Sequence, residues 1–131
     1  MEKVSIATSK RVDALDITSK AEGLVEKKGW RDGVLFVFCP HTTCALACNE
    51  FEDYIKEDYE NFFSELRKKT WRHNQVDGNA DAHLKQVMFG SSVCLFVEKG
   101  SIQKGTWQHL ILLEGDGPRT REVWIKFISS K

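Results

Sequence analysis

The sequence PHTTCALACNE, at residues 40–50, follows the apolar run VLFVF at residues 34–38. If this segment continues as a strand, its side chains alternate between two faces. One face is polar at both ends and small between them: His41, Thr43, Ala45, Ala47 and Asn49. The other face consists mostly of core residues: Thr42, Cys44, Leu46, Cys48 and Glu50. A face of the first kind is typical of the floor of a cleft.

Length and composition indicate one globular domain spanning residues 1–131. Hydrophobic residues make up 41% of the chain and charged residues 29%, which is ordinary globular composition. Basic and acidic residues number 19 each, so the net charge does not favour nucleic acid or an anionic membrane as a partner. The N-terminus lacks the apolar region of a signal peptide, and no run approaches the roughly 18 apolar residues of a membrane span. We therefore expect a cytoplasmic protein.

Hydrophobic periodicity predicts an α+β fold. Apolar residues recur three and four positions apart from Phe51 to Leu66, which predicts an amphipathic helix. Another helix is expected after residues 77–81, with its apolar side formed by Leu84, Val87 and Met88. Strands are predicted at residues 4–8, 34–38, 92–97, 106–114 and 121–128. The pattern favours one compact domain with a mostly antiparallel sheet or sandwich, covered by two or three helices.

Three segments carry motifs that are informative in combination. They are HTT at residues 41–43 running to 49–50, DGNADAHL at 77–84 running to 90–92, and GTWQ at 105–108 running to 114 and to DGPR at 116–119. Their order and spacing resemble the YjbQ family, which is also named for a secondary thiamine-phosphate synthase activity. The resemblance covers nearly the whole chain. It implies an α+β domain with an extensive antiparallel sheet, usually a homotrimer, with a metal or an anion near family histidines in the subunit cleft.

The chain departs from the family pattern at His109, where many members have Gly after the Trp-Gln pair. At a subunit contact the imidazole would alter packing, and in the cleft it would offer an additional ligand or acid–base group. Strand alternation places His109 on the side of Trp107, opposite Gln108, and this favours packing.

The polar residues that match these motifs form a candidate site. His41 and His83 can present imidazole nitrogens to a divalent ion, zinc or magnesium, and are also candidate catalytic groups. The other catalytic candidates, Glu50 and Glu114, could be metal-associated acids, bases or groups that orient a histidine. The remaining candidates would bind a phosphorylated ligand: Thr43, Asn49 and Gln108 through neutral hydrogen bonds, and Arg119 and Arg121 through forked guanidinium donors.

These residues lead to three functional hypotheses, each with a small phosphorylated metabolite as partner. The first is a metal-assisted enzyme with the synthase activity that the resemblance implies. That reaction joins a hydroxymethylpyrimidine pyrophosphate to a thiazole phosphate and releases pyrophosphate, whose charge the site would stabilise. The second is a phosphate-ester hydrolase that uses a metal-bound water. The third is a non-catalytic trimer whose cleft binds an anion or metabolite.

The late strands predict apolar surface that the helices leave uncovered. One strand face carries Trp107, His109, Ile111 and Leu113, and Trp124 lies on the outer side of the next strand. Contiguous exposed apolar surface beyond a few hundred Å² is uncommon in soluble monomers. We therefore expect a homotrimer, with the polar cleft at or near the subunit boundary.

Overall fold

The computed structural model describes residues 1–131, which form eight strands, three α-helices and two short 3₁₀ turns. The strands are β1 (Glu2–Ala7), β2 (Asp13–Asp16), β3 (Gly33–Phe38), β4 (Cys44–Asn49), β5 (Ser92–Glu98), β6 (Ser101–Gln103), β7 (His109–Glu114) and β8 (Thr120–Ser129). The helices are α1 (Thr18–Lys28), α2 (Asp53–Glu65) and α3 (Ala80–Phe89), and the 3₁₀ turns are Leu66–Lys68 and Arg72–Gln75. Every strand pair is antiparallel, so the predicted fold class is confirmed. None of these helices has the length and apolarity that a membrane span requires.

The strands form two sheets whose inner faces enclose the main core. One sheet has the order β1-β8-β3-β5-β6, and the other has the order β2-β7-β4. Leu35 and Val37 of β3 share this core with Leu46 of β4 and Leu112 of β7, and none of the four is more than 1% exposed. The protein is therefore a sandwich, and burial of these aliphatic side chains between the two sheets is its main source of stability.

β7 is covered on both faces, and the predicted alternation explains how. Leu110 and Leu112 belong to the main core. Ile111 and Leu113 face the opposite way and form a second core with Phe63 of α2. The expectation that this second face remains free for another subunit is wrong, because α2 covers it.

The uncovered apolar surface lies instead on the outer face of the five-stranded sheet. We call this surface the outer sheet face. Its large apolar residues are Phe36 at 44% exposure, Phe38 at 40%, Phe96 at 64% and Ile128 at 51%. They occupy the three adjacent strands β8, β3 and β5, where Val34 lies opposite both Phe96 and Ile128. The side chains therefore form one contiguous patch.

α3 turns its predicted apolar side outward. Val87 is 78% exposed and Met88 is 62% exposed, whereas Asp81, Ala82 and Lys85 are buried. The predicted orientation of this helix is therefore wrong. The charged side is buried because Asp81 pairs with Lys85 and with Arg11, which lies between β1 and β2. Helical periodicity contains no information about the distant partner.

Residues 40–43 form a crossover rather than the first part of a strand. β3 belongs to the five-stranded sheet and β4 to the three-stranded sheet, so the chain must pass from one layer to the other. Pro40 has no N–H with which to continue the β3 ladder. The predicted two-faced pattern is confirmed from Cys44 onward, since Cys44 and Leu46 lie in the main core and Ala45 lies in the second core.

Candidate functional site

A buried ion pair joins the end of β7 to the start of β8. Glu114 is fully buried, and Arg121 is 3% exposed. Nε of Arg121 donates to Oε2 of Glu114 at 2.7 Å, and Nη2 of Arg121 donates to Oε1. The same Nη2 donates to Oγ1 of Thr43 at 2.8 Å. The fold therefore brings together three of the predicted site residues, Thr43, Glu114 and Arg121.

Hydrogen bonds within the protein already use most of the donors and acceptors of this ion pair. Glu114 also accepts from the Thr8 hydroxyl and from the Asp116 N–H, each at 2.9 Å. Burial opposes the charge on Arg121, but its hydrogen bonds with Glu114 and the carboxylate charge outweigh burial and raise the pKa of the guanidinium. The geometry gives both residues a role in holding the fold. The predicted roles of Glu114 in catalysis and of Arg121 in phosphate binding stay predictions.

His41 takes the place of a missing ladder partner on β8. The β3–β8 pairing ends with Phe38 opposite Trp124, and two residues further along the same register would place Pro40 opposite Glu122. Pro40 has no N–H to offer the Glu122 carbonyl oxygen, and Nε2 of His41 lies 3.1 Å from that oxygen and 3.0 Å from the Glu122 nitrogen. The imidazole thus occupies the ladder position opposite Glu122 that Pro40 does not fill.

The environment of His41 favours the neutral imidazole. Partial burial is the largest cause that lowers its pKa, and the nearby positive charge of Arg121 lowers it further. Nε2 of a neutral ring either accepts from the Glu122 N–H or donates to the Glu122 carbonyl oxygen, and the tautomer decides which. In the first case His41 presents Nδ1–H to an additional group, and in the second case it presents the lone pair of Nδ1.

His83 has different neighbours. It lies on α3, where its ring meets the ring of His73 edge-on with 4.8 Å between centroids. Nε2 of His73 lies 4.0 Å from Oδ2 of Asp77. No three His, Cys, Asp or Glu side chains of the chain are grouped so that they could hold a metal ion. The residues of one chain therefore do not fit a resident metal, and convergence of His41 with His83 at a subunit boundary stays a prediction.

The densest group of charged side chains lies around the N-terminus of α3 and the β7–β8 turn. We call this group the polar cluster; it consists of Arg11, Arg67, Asn79, Asp81, Lys85, Asp116 and Arg119. Arg11 links its two carboxylates, since Nη1 donates to Asp116 at 2.8 Å and Nη2 donates to Asp81 at 3.0 Å. Asn79 Nδ2 donates to Asp116 at 2.9 Å. Arg119 also contacts Asp116, through the carbonyl oxygen at 2.8 Å and the carboxylate at 3.3 Å.

Lys85 is the deeply buried cation of the polar cluster. It is 4% exposed, and its Nζ lies 3.1 Å from Oδ2 of Asp81. That separation suits an ion pair, but the angles do not make a hydrogen bond, so both atoms lack a hydrogen-bond partner. Arg11 Nε and Asn79 Oδ1 are buried without partners as well. Burial lowers the pKa of Lys85, and Asp81 opposes this shift only in part.

The close approach of α3 to the β7–β8 turn requires a glycine. A Cβ on Gly115 would lie 2.9 Å from Cβ of Ala82 and 3.1 Å from the Thr43 carbonyl oxygen. Because there is no room for that atom, Gly115 lets the helix and the turn meet. This contact explains why the DGNADAHL and DGPR segments lie together in the fold.

The other predicted site residues lie at the opposite end of the β4–β7 ladder. Cys44 pairs with Glu114 at one end, and Asn49 pairs with His109 at the other, about 17 Å away at the usual rise per residue. Oδ1 of Asn49 accepts from the Glu50 N–H at 2.7 Å, and Oε1 of Gln108 accepts from the Gly105 N–H at 2.7 Å. Within a single chain, Asn49, Glu50 and Gln108 therefore lie far from the polar cluster.

His109 packs at this second end, as alternation favours. Its Nδ1 lies 2.9 Å from Oδ2 of Asp16, and its ring centroid lies 6.4 Å from that of Phe51. Within the chain, the imidazole thus pairs with a carboxylate and an aromatic ring.

Sequence reasoning passed over most of the polar cluster. Arg11, Asp81, Lys85 and Asp116 were not among the predicted site residues. The sequence contains one local signal, because Asp81 and Lys85 are four residues apart and of opposite charge, on the same face of α3. Such pairs are usually solvated, and only the contacts of Arg11 with Asp81 and Asp116 distinguish this one.

Comparison with known proteins gives a consistent result across the chain. A family model described as UPF0047 protein YjbQ-like matches residues 2–130. A UPF0047 protein of Archaeoglobus fulgidus is 45% identical over 126 residues, which cover 95% of this chain and 98% of that protein. A hypothetical protein from Aeropyrum pernix K1 is 40% identical in sequence to this chain. Its crystal structure superposes with a TM-score of 0.92, covering 99% of this chain and 100% of the other. A crystal structure from Sulfolobus solfataricus P2, described as a YbjQ-like protein of unknown function, also has a TM-score of 0.92, with 32% identity over 98% of this chain and 96% of the other.

Proposed function

This chain belongs to the YjbQ (UPF0047) family, and from that premise we propose that it binds a phosphorylated small molecule at the polar cluster and acts on it as a thiamine-phosphate synthase. The substrates come from the family resemblance. The location comes from the charges around the N-terminus of α3. Binding at the polar cluster and turnover of the substrates are separate properties, and each has its own test.

The observation that carries the proposal is a surplus of positive charge. Four cationic side chains of the polar cluster, Arg11, Arg67, Lys85 and Arg119, surround the two carboxylates Asp81 and Asp116. The formal excess is therefore two positive charges, and two of the buried donors, Arg11 Nε and Lys85 Nζ, lack hydrogen-bond partners. Excess cationic donors of this kind favour a phosphate or pyrophosphate group.

In the synthase reaction this charge would act on the leaving group. The carbon–oxygen bond between the pyrimidine methylene and pyrophosphate breaks, its electron pair stays on the pyrophosphate oxygen, and the thiazole nitrogen forms the new carbon–nitrogen bond. Negative charge develops on the departing oxygen, where fixed cations lower the barrier. Arg119, half exposed at the rim, would contact the pyrophosphate, and Arg11 and Lys85 would supply charge from below. No covalent intermediate with the protein is required.

A divalent ion, zinc or magnesium, and a homotrimer complete the proposal. One chain does not supply a metal site, so ligands from a second chain would be needed. The outer sheet face gives an apolar surface through which subunits could associate, and its burial would favour assembly. No step above depends on the metal.

A non-catalytic metabolite-binding trimer is the second candidate function. It is favoured by one observation, namely that the carboxylates of Glu114, Asp81 and Asp116 are all paired with arginine. None of them is free to act as a general base while those pairs persist. In this alternative the polar cluster would bind the anion without turning it over.

Isothermal titration calorimetry with pyrophosphate tests the proposed site. Arg119→Ala should weaken binding by about tenfold or more, because a charge-assisted hydrogen bond is lost. Lys20→Ala is the matched control, since Lys20 is exposed on α1 and belongs to neither the polar cluster nor the outer sheet face. Equal affinity of the wild type and Arg119→Ala would overturn the proposed location.

Pyrophosphate release from hydroxymethylpyrimidine pyrophosphate tests the reaction. Release that requires thiazole phosphate supports the synthase, whereas release without it indicates the hydrolase alternative. Binding with no release in either mixture would leave the non-catalytic trimer as the function.

A further inference from the structure

An apolar cavity of about 260 Å³ lies between α2, the end of α3 and the outer side of the three-stranded sheet. Its lining is aliphatic and aromatic apart from one amide: Ala47, Asn49, Tyr59, Phe62, Phe63, Phe89, Ile111 and Leu113. We call it the apolar cavity. None of the residues of the polar cluster lines it.

The apolar cavity exists because the strand beneath α2 carries small side chains. Ala45 and Ala47 occupy the face of β4 that α2 covers. Phe63 fills the end near Ala45 and is 3% exposed, and the half-buried Ala47 lines the space beside it. The result is the cleft floor of small side chains that the alternation of residues 41–49 predicts, roofed by a helix.

Its walls are aromatic and packed against one another. Phe63 meets Phe89 edge-on with 5.0 Å between ring centroids, and Phe62 lies 6.0 Å from Phe63. The Tyr59 hydroxyl donates to the Glu50 carbonyl oxygen at 2.7 Å, which ties α2 to the end of β4. These contacts fix the walls through groups of the chain itself, so the space is pre-formed.

Size and lining restrict what can fill this space. An apolar cavity of about 150 Å³ lined by similar residues stays dry and binds benzene. The apolar cavity is larger, so it accommodates one planar ring with small substituents. The space opens to solvent beside Phe62, which is 57% exposed, and water in it meets one polar lining residue, Asn49. Filling the cavity with an apolar ring is therefore favourable.

Asn49 places a polar side chain at the opening of the apolar cavity. Its Oδ1 accepts from the Glu50 N–H, while its Nδ2 makes no hydrogen bond. An exposed amide with free N–H donors suits a ring that carries an acceptor, such as a ring nitrogen or a carbonyl oxygen. We propose that the apolar cavity is a binding site for a small aromatic or heteroaromatic ring whose acceptor atom meets Asn49.

This site does not depend on the proposed phosphate site. A gap of about 10 Å³, bordered by Phe63, Phe89 and Leu113 on one side and by Lys85 on the other, separates the two. It has room for no more than about one water molecule. A ring without phosphate can therefore enter the apolar cavity, and the two proposals can fail separately.

Methyl NMR titration with benzene and with pyridine tests the inference on the full chain. The reporters are the methyl groups of Ala47, Ile111 and Leu113, and the Leu35 methyls in the main core are the internal control. Saturable shifts of the reporters, with Leu35 unmoved, support the site. Ala47→Leu should weaken benzene binding by about tenfold or more, because its side chain occupies the space. Ala7→Leu, at an exposed position on β1, is the matched control and should bind as the wild type does.

Asn49→Leu provides a second variant at an exposed position, which keeps the test valid if Ala47→Leu does not fold. It should reduce the preference for pyridine over benzene by about threefold to tenfold, the effect of one neutral hydrogen bond. Reporter shifts that survive Ala47→Leu, or no shift with either probe, would overturn the proposal. Reporter shifts that follow protein concentration instead of probe would also overturn it, because a second copy of the chain would then fill the cavity.

Discussion

Arg121 of β8 and Glu114 of β7 are joined side by side with both charges sealed from solvent, and their strands belong to different sheets. The pair therefore connects the two layers of the sandwich at the same point where the polar cluster begins, since the Asp116 N–H donates to Glu114. A change at this pair is expected to affect the fold before it affects any ligand.

Glu114→Ala should lower the free energy of unfolding by about 3 to 5 kcal/mol, because it leaves the charge of Arg121 buried without its partner. Urea unfolding measures this loss. Arg119→Ala is the comparison, since its ion pair with Asp116 is half exposed and such pairs contribute about 1 kcal/mol or less. A similar small loss in both variants would show that the buried pair does not hold the sheets together.

Stability should depend on pH through His41. Its pKa is lower in the folded protein, so the unfolded chain binds the proton more readily and stability rises with pH across this window. The contribution is complete above the ordinary value of about 6.5 and is lost as the pH falls through the folded pKa. The charged groups that face the ring are Arg121, Glu114 and Glu122.

His41→Gln isolates this contribution, because the amide can still accept from the Glu122 N–H but does not titrate in that range. The free energy of unfolding, measured by urea between about pH 5 and pH 8, should fall less steeply towards acid in this variant. Parallel curves for the two proteins would contradict the assignment.

Assembly should depend on the outer sheet face. We expect the wild type to sediment at equilibrium as a trimer at micromolar concentration, and Phe36→Glu to sediment as a folded monomer, because a carboxylate cannot be buried there without a partner. Tyr54→Glu, at a 79% exposed position on α2, should remain trimeric. A wild-type monomer would refute the trimer, and a trimeric Phe36→Glu would place the interface elsewhere.

Metal content should depend on both histidines and on assembly. If His41 and His83 share an ion across a subunit boundary, protein purified without chelator should retain a divalent metal. Replacing either residue with Ala should then weaken binding by at least about tenfold. His109→Ala is the control, since that imidazole pairs with Asp16. Unchanged metal in both variants would exclude a ligand role, and metal retained by a Phe36→Glu monomer would exclude a site shared between subunits.

The sequence by itself determined the strand faces and the family. A period of two requires Leu110 and Leu112 to face one way and Ile111 and Leu113 the other, and the two sets lie in different cores. The motifs at residues 41–50, 77–92 and 105–119 were sufficient to identify the family, because their order and spacing can be read without coordinates. These features depend on neighbours along the chain.

Only the tertiary structure decided which charges are buried and which candidates meet. Lys85 and Asp81 have the spacing of a solvated ion pair on a helix. Only the fold brings Arg11, seventy residues before Asp81 in the chain, within hydrogen-bond distance of Asp81. Glu114 meets Thr43 and Arg121, whereas Asn49 and Gln108 lie at the far end of the same ladder. The physical reason is that burying a charge is favourable only when distant segments supply its partners, and local periodicity carries no record of those segments.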